Sequence, residues 1–169
     1  MELEAALKSA LVFEKRIRDL YNEAVASTED TAGKKIFQDL AEDEQNHVAY
    51  LESRLDEWQK TGAISTERLE SIIPDKASIR KAAAELESKI KEDTRGLKQQ
   101  MLSRALEMEI DTSRFYEQLV EQVPADQQNM FKRFLEIENN HIEVVQFELD
   151  HISKTGFWFG FEEFDMERF

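Results

Sequence analysis

Six side chains in this sequence have the type and spacing to hold metal ions. Glu14 and Glu109 each interrupt a stripe of apolar residues at helical spacing. Glu14 falls between Leu11 and Ile17, and Glu109 between Leu106 and Thr112. Two further stripes each carry a Glu-x-x-His pair, Glu44 with His47 and Glu138 with His141. Residues three apart on a helix lie about 60° apart and one turn along, so each pair presents both side chains to one place. A carboxylate buried among apolar residues costs several kcal/mol even after relaxation, on the order of 3 or more. Four together repel one another and are driven toward protonation. Two divalent cations would offset this, since their four positive charges match the four carboxylates while the imidazoles stay neutral.

Depth along the helices agrees with a single site. Glu14 precedes the first break, near residue 28, by as many residues as Glu44 and His47 follow it. At about 1.5 Å per residue all three lie roughly 20 Å from the turn. Glu109 and the Glu138/His141 pair repeat this around Pro124. Tyr21 and Tyr116 follow Glu14 and Glu109 by seven residues, on nearly the same face. Each either fills the core or hydrogen-bonds a ligand carboxylate from outside. Asp43, just before Glu44, is placed to orient His141 across the bundle, although Ile137 stands at the matching position before Glu138. The third pair, Glu148 and His151, lies about 80° around the helix from Glu138/His141 and roughly 15 Å further along, and reads as solvated surface.

Four long helices must position these residues. The first stripe (Leu3, Leu7, Leu11, Ile17, Tyr21, Ala24) runs over about 2–27. The second (Phe37, Leu40, Val48, Leu51, Leu55, Trp58) stops at Thr61-Gly62. The third (Leu102, Ala105, Leu106, Thr112, Tyr116, Leu119, Val123) ends at Pro124. The fourth (Phe131, Phe134, Ile142, Val145, Leu149, Ile152) stops near Thr155-Gly156. The spacing predicts a helical hairpin over about 2–61, a crossover over about 62–96 and a second hairpin over about 97–155. An aromatic tail follows over 156–169. Within the crossover, short helices are expected over Thr66–Ile72 and Asp75–Ile90. The hairpins repeat each other. Ala10, Leu11, Glu14 and Tyr21 recur as Ala105, Leu106, Glu109 and Tyr116. Phe37, Glu42, Glu44, Asn46, His47 and Leu55 recur as Phe131, Glu136, Glu138, Asn140, His141 and Leu149.

Composition bounds the rest. The 169 residues suit one domain, 1–169, with a substantial core. Only 5 Gly and 2 Pro argue for an all-α chain over a turn-rich one. A net charge of −14 argues against nucleic acid or an anionic membrane as partner. No Cys means no disulfide, no thiolate ligand and no thiol nucleophile. No apolar run approaches the roughly 20 residues of a membrane span, and the start lacks a signal-peptide pattern, so a cytoplasmic protein is expected.

One Glu from each of two helices plus Glu-x-x-His from each of the other two resembles the ferritin-like di-iron carboxylate pattern. Leu40-Ala41-Glu42-Asp43-Glu44-Gln45-Asn46-His47, Ala105-Leu106-Glu107-Met108-Glu109 and the tail after Thr155-Gly156-Phe157-Trp158-Phe159 look like rubrerythrin-type proteins. The resemblance implies a ferritin-like four-helix bundle of two repeated hairpins with a long helical crossover between the second and third helices. It also implies helical homodimers. Rubrerythrins proper add a Cys-rich rubredoxin domain, which this Cys-free chain lacks, and an exchangeable Glu where this chain has Thr112. The donor set suits iron, with manganese or zinc as other occupants. In the favoured reading Glu44 and Glu138 bridge two irons. Glu14 with His47, and Glu109 with His141, are then the more terminal ligands, and the site reduces peroxide or O₂ with electrons from an external donor such as a rubredoxin-like protein. Iron storage with ferroxidase activity, which predicts a large hollow oligomer, is one alternative. A helical interaction protein with a purely structural metal site is the other.

Overall fold

The computed structural model describes residues 1–86, 96–156 and 158–159. Its helices in chain order are α1 (Leu3–Ser27), α2 (Thr31–Thr61), α3 (Lys76–Leu86), α4 (Gly96–Gln122) and α5 (Gln128–Thr155), with one 3₁₀ turn at Ala125–Gln127. No strand occurs among the described residues. The chain is an all-α bundle. α1 packs on α2 and α4 on α5 as two hairpins, α1 meets α4, and α3 lies against α5.

The turns follow from local chemistry. Asp30 caps α2 by accepting a hydrogen bond from the Gly33 N–H at 3.0 Å. Gly62 (φ 70°) and Gly156 (φ 77°) end α2 and α5 in the left-handed conformation, donating back to the carbonyls of Trp58 and Ile152. Pro124, which has no N–H to donate, follows the end of α4.

The buried residues of α1 run Leu3, Ala6, Leu7, Ala10, Leu11, Glu14, Ile17, Leu20, Tyr21, Ala24, one continuous face with a carboxylate at its middle. The apolar interior is accordingly split in two. One cluster holds Ile17, Leu20, Phe37, Leu40, Leu102, Ala105, Val144 and Val145. The other holds Leu7, Leu11, Val48, Leu51, Leu119, Phe131, Phe134 and Ile137. Each candidate ligand lies where its helix passes from one cluster to the other, for example between Leu11 and Ile17, or between Ala41 and Val48.

The crossover departs from expectation. Thr66–Ile72 forms no helix. Its polar groups bond to the bundle instead of to each other. The Leu69 carbonyl accepts from Arg133 Nε at 3.0 Å, and Ser71 and Ile72 bond to Asp43. α3 covers the first part of the expected Asp75–Ile90 helix, and residues 87–90 lie outside the described residues. Of the tail, Trp158 packs edge-on against Phe37 with ring centroids 5.4 Å apart, and Phe159 packs on Phe147 and His151. Residues 157 and 160–169 lie outside the described residues.

Gly33 is present because Trp158 takes its space: a Cβ there would fall inside the indole ring. Gly33→Ala is expected to cost about 1–3 kcal/mol of unfolding free energy by overpacking. Most of that penalty should vanish in a Trp158→Leu background. A chemical-denaturation double-mutant cycle checks this, and an equal penalty in both backgrounds would refute the contact.

Candidate metal centre

All six sequence-predicted residues meet in one layer, and each is fully buried (0% exposed): Glu14, Glu44, His47, Glu109, Glu138 and His141. α1 and α4 supply one Glu each, and α2 and α5 one Glu-x-x-His pair each. Their donor atoms fall into two groups of metal-binding compactness. One is Glu14, Glu44, His47 and Glu138. The other is Glu44, Glu109, Glu138 and His141. Glu44 and Glu138 belong to both.

The imidazoles stack in parallel, 5.5 Å between centroids and 6° between planes. Each turns Nδ1 toward the carboxylates. His47 Nδ1 lies 3.0 Å from both Glu14 and Glu44 and 3.4 Å from Glu138. His141 Nδ1 lies 2.8 Å from Glu44 and 3.5 Å from Glu109. Both rings turn Nε2 outward to one carboxylate, Asp43, at 2.8 Å from His141 and 3.5 Å from His47. The first distance is a hydrogen bond, as the sequence reading places it; the contact to His47 was not foreseen. Asp43 stands four residues before His47, a spacing that puts both on one helix face, so the signal was available.

Tyr21 and Tyr116 act across the hairpins. The Tyr21 hydroxyl on α1 donates to Glu109 on α4, and the Tyr116 hydroxyl on α4 donates to Glu14 on α1. The sequence leaves open whether each phenol only fills the core or also bonds a carboxylate; here each ring is buried and its hydroxyl bonds a carboxylate. Phe134 stacks on Tyr116 and meets His47 edge-on.

Much of the donor capacity makes close charge contacts without a hydrogen bond. Both oxygens of Glu44, both of Glu138, Glu109 Oε2, His141 Nδ1 and His47 Nε2 are buried without a hydrogen bond. Buried polar atoms are otherwise nearly always paired. Burial pushes Glu14 up to about 8, although His47 beside it pulls the other way. Burial, with Glu44 and Glu14 adding repulsion, holds Glu138 far above the usual carboxylate range, and burial also raises Glu109. Glu44 goes the other way, down to about 2, because the two imidazoles beside it outweigh its burial. The same carboxylates raise both histidines against the effect of burial. Such a cluster has the donor chemistry to hold cations: carboxylate oxygens and one imidazole in each of two groups.

Two polar positions differ from the sequence reading. Glu148 is fully buried, not solvated, and one of its oxygens accepts from the Phe159 N–H at 3.0 Å. Arg54, its counterpart in the first hairpin, is buried as well. Glu148 stands seven residues after His141 and so lies near the same face, which the comparison with Glu138 had obscured. His151 is half-buried beside Phe147 and Phe159. Thr112, one turn after Glu109, is buried with its hydroxyl donating to the Met108 carbonyl.

A rubrerythrin family model matches residues 4–148, most of the chain and every one of the six clustered residues. The chain belongs to the rubrerythrin family. Among solved structures it resembles the ferritin like, diiron-carboxylate proteins from Bacillus anthracis str. Ames. The TM-score is 0.54 and the identity 24%, covering 88% of this chain and 99% of that one. At that identity the likeness speaks for a shared ferritin-like fold. No curated protein matches. No described helix is long and apolar enough to cross a membrane.

Tyr116→Phe removes the donor to a buried Glu14 oxygen without opening a cavity. It is expected to lower the unfolding free energy by about 1–3 kcal/mol, and Tyr21→Phe likewise at Glu109. Urea denaturation with a chelator present measures both. Losses within about 0.5 kcal/mol, the range of surface substitutions, would show that the hydroxyls hold nothing.

Proposed function

We propose that this rubrerythrin-family chain holds two iron ions and uses them to reduce peroxide or O₂, with electrons from an external donor such as a rubredoxin-like protein. The observation that carries the reading is the pair of overlapping donor groups that share Glu44 and Glu138. In this reading Glu14 and His47 would complete one position and Glu109 and His141 the other, while Glu44 and Glu138 would serve both ions as bridging ligands. When bound, two ferrous ions supply one electron each, which matches the two-electron reduction of peroxide.

The chain's own residues do the rest. The parallel imidazoles turn Nδ1 toward the carboxylates, and Asp43 bonds Nε2 of His141, which sets that ring's tautomer. Tyr21 and Tyr116 hold one oxygen each of Glu109 and Glu14, limiting how those carboxylates can swing. The two apolar clusters above and below exclude water and strengthen every charge interaction between them. A structural site would need no redox-active occupant, and a storage protein would need a large shell. The likeness to a diiron-carboxylate fold supports iron.

The test is stoichiometry followed by reaction. The protein should take up two Fe(II) per chain, and mixing with peroxide should bring the absorption of oxidised iron within seconds. Two bound irons with no optical change over minutes would leave a structural site and defeat the reduction reading. A hollow multimer on size measurement, instead of a homodimer, would favour storage. Glu44→Ala and Glu138→Ala should each abolish binding of both ions; loss of only one would contradict the bridging roles.

A further inference from the structure

The two hairpins differ at two positions beside the cluster, in residue type at one and in burial at the other, and both face the crossover. Asp43 on α2 corresponds to Ile137 on α5, and the buried Asn140 on α5 corresponds to the exposed Asn46 on α2. Asp43 is fully buried and accepts from the Ser71 hydroxyl at 2.6 Å and the Ile72 N–H at 2.9 Å. Asn140, next to His141, accepts from the Lys76 N–H at 3.0 Å. Arg133 binds the Leu69 carbonyl from the same helix. Residues 69–76 thus run as a strap across α2 and α5, fastened at the level of the two histidines. Ser71 steadies its own turn as well, accepting from the Ile73 N–H at 3.2 Å, and Ile73 sinks into the core beside it.

Asp43 is therefore the joint between strap and cluster. One of its oxygens, Oδ2, faces Ser71, His141 and His47 together. Moving the strap moves that oxygen, and with it the orientation of the His141 ring it hydrogen-bonds and the charge facing His47 Nε2.

We propose that the crossover segment 69–76 is a positioning element of the metal centre, acting through Ser71 and Asp43 on the His141 imidazole, so that metal binding and order in the strap are linked. This rests on the metal-binding reading above. A group that orients a metal-ligating histidine from outside typically contributes 10- to 100-fold to affinity. Linkage is reciprocal: if the strap improves metal affinity, metal must tighten the strap by the same factor.

The experiment uses Co(II) as the probe, since its visible absorption reports ligand geometry as well as occupancy. Asp43→Asn should weaken Co(II) binding by about 10- to 100-fold. Ser71→Ala should weaken it by a smaller factor, and Ser71→Thr, which keeps the hydroxyl, should restore it. In the wild type, Co(II) should slow amide hydrogen exchange at Ile72 and Ile73, and Ser71→Ala should erase that protection. A strap that merely stabilises the fold predicts something else: a lower melting temperature for Ser71→Ala with unchanged Co(II) affinity and spectrum. That result, or equal exchange with and without Co(II), would overturn the proposal and leave the metal centre standing. A wild-type chain that takes up no Co(II) or Fe(II) would bring down both.

Discussion

Hydrocarbon does not tolerate unneutralised charge, and this bundle gathers four carboxylates at its centre. That single constraint organises the molecule. Each of the four long helices has an apolar face broken at one level, and the breaks coincide. Everything nearby supplies partial compensation: imidazoles beside Glu44, phenols on Glu14 and Glu109, and Asp43 behind the rings. Protein groups alone still leave both oxygens of Glu44 and Glu138 without hydrogen bonds. A cation pair is the economical remedy. The family match and the ferritin-like fold are consistent with it.

The layer has a cost for the fold as well. Two half-cores replace one, and the polar level between them contributes little apolar burial. Length compensates. Helices of 25 to 31 residues put several buried turns on either side of the cluster. The cross-hairpin bonds from Tyr21 and Tyr116 tie α1 to α4 at the level where packing is least able to do so.

Most of this was legible in the sequence, for a physical reason. A charged residue on an apolar stripe is an anomaly that only burial with a partner resolves, and here the anomaly occurs four times with matching spacing. Helix limits were legible because Gly62, Pro124 and Gly156 act locally. What escaped was set by long-range contact. The stretch Thr66–Ile72 has helical periodicity, yet its Ser71 and Ile72 are drawn to Asp43, 28 and 29 residues away. Glu148 looked like one more surface acid. Its place seven residues after His141 is a signal of burial, but its partner, the Phe159 N–H of the returning tail, is set by long-range contact.

The repeat gives the two halves of the cluster matching candidate donors, Glu14 with His47 and Glu109 with His141. Asp43 is not duplicated, and it sits 2.8 Å from one ring and 3.5 Å from the other. Whatever occupies the two positions is thus inequivalent by construction. The His141 ring is held by a hydrogen bond that the His47 ring lacks, so the two halves of the cluster differ in stiffness and in the charge behind their imidazoles.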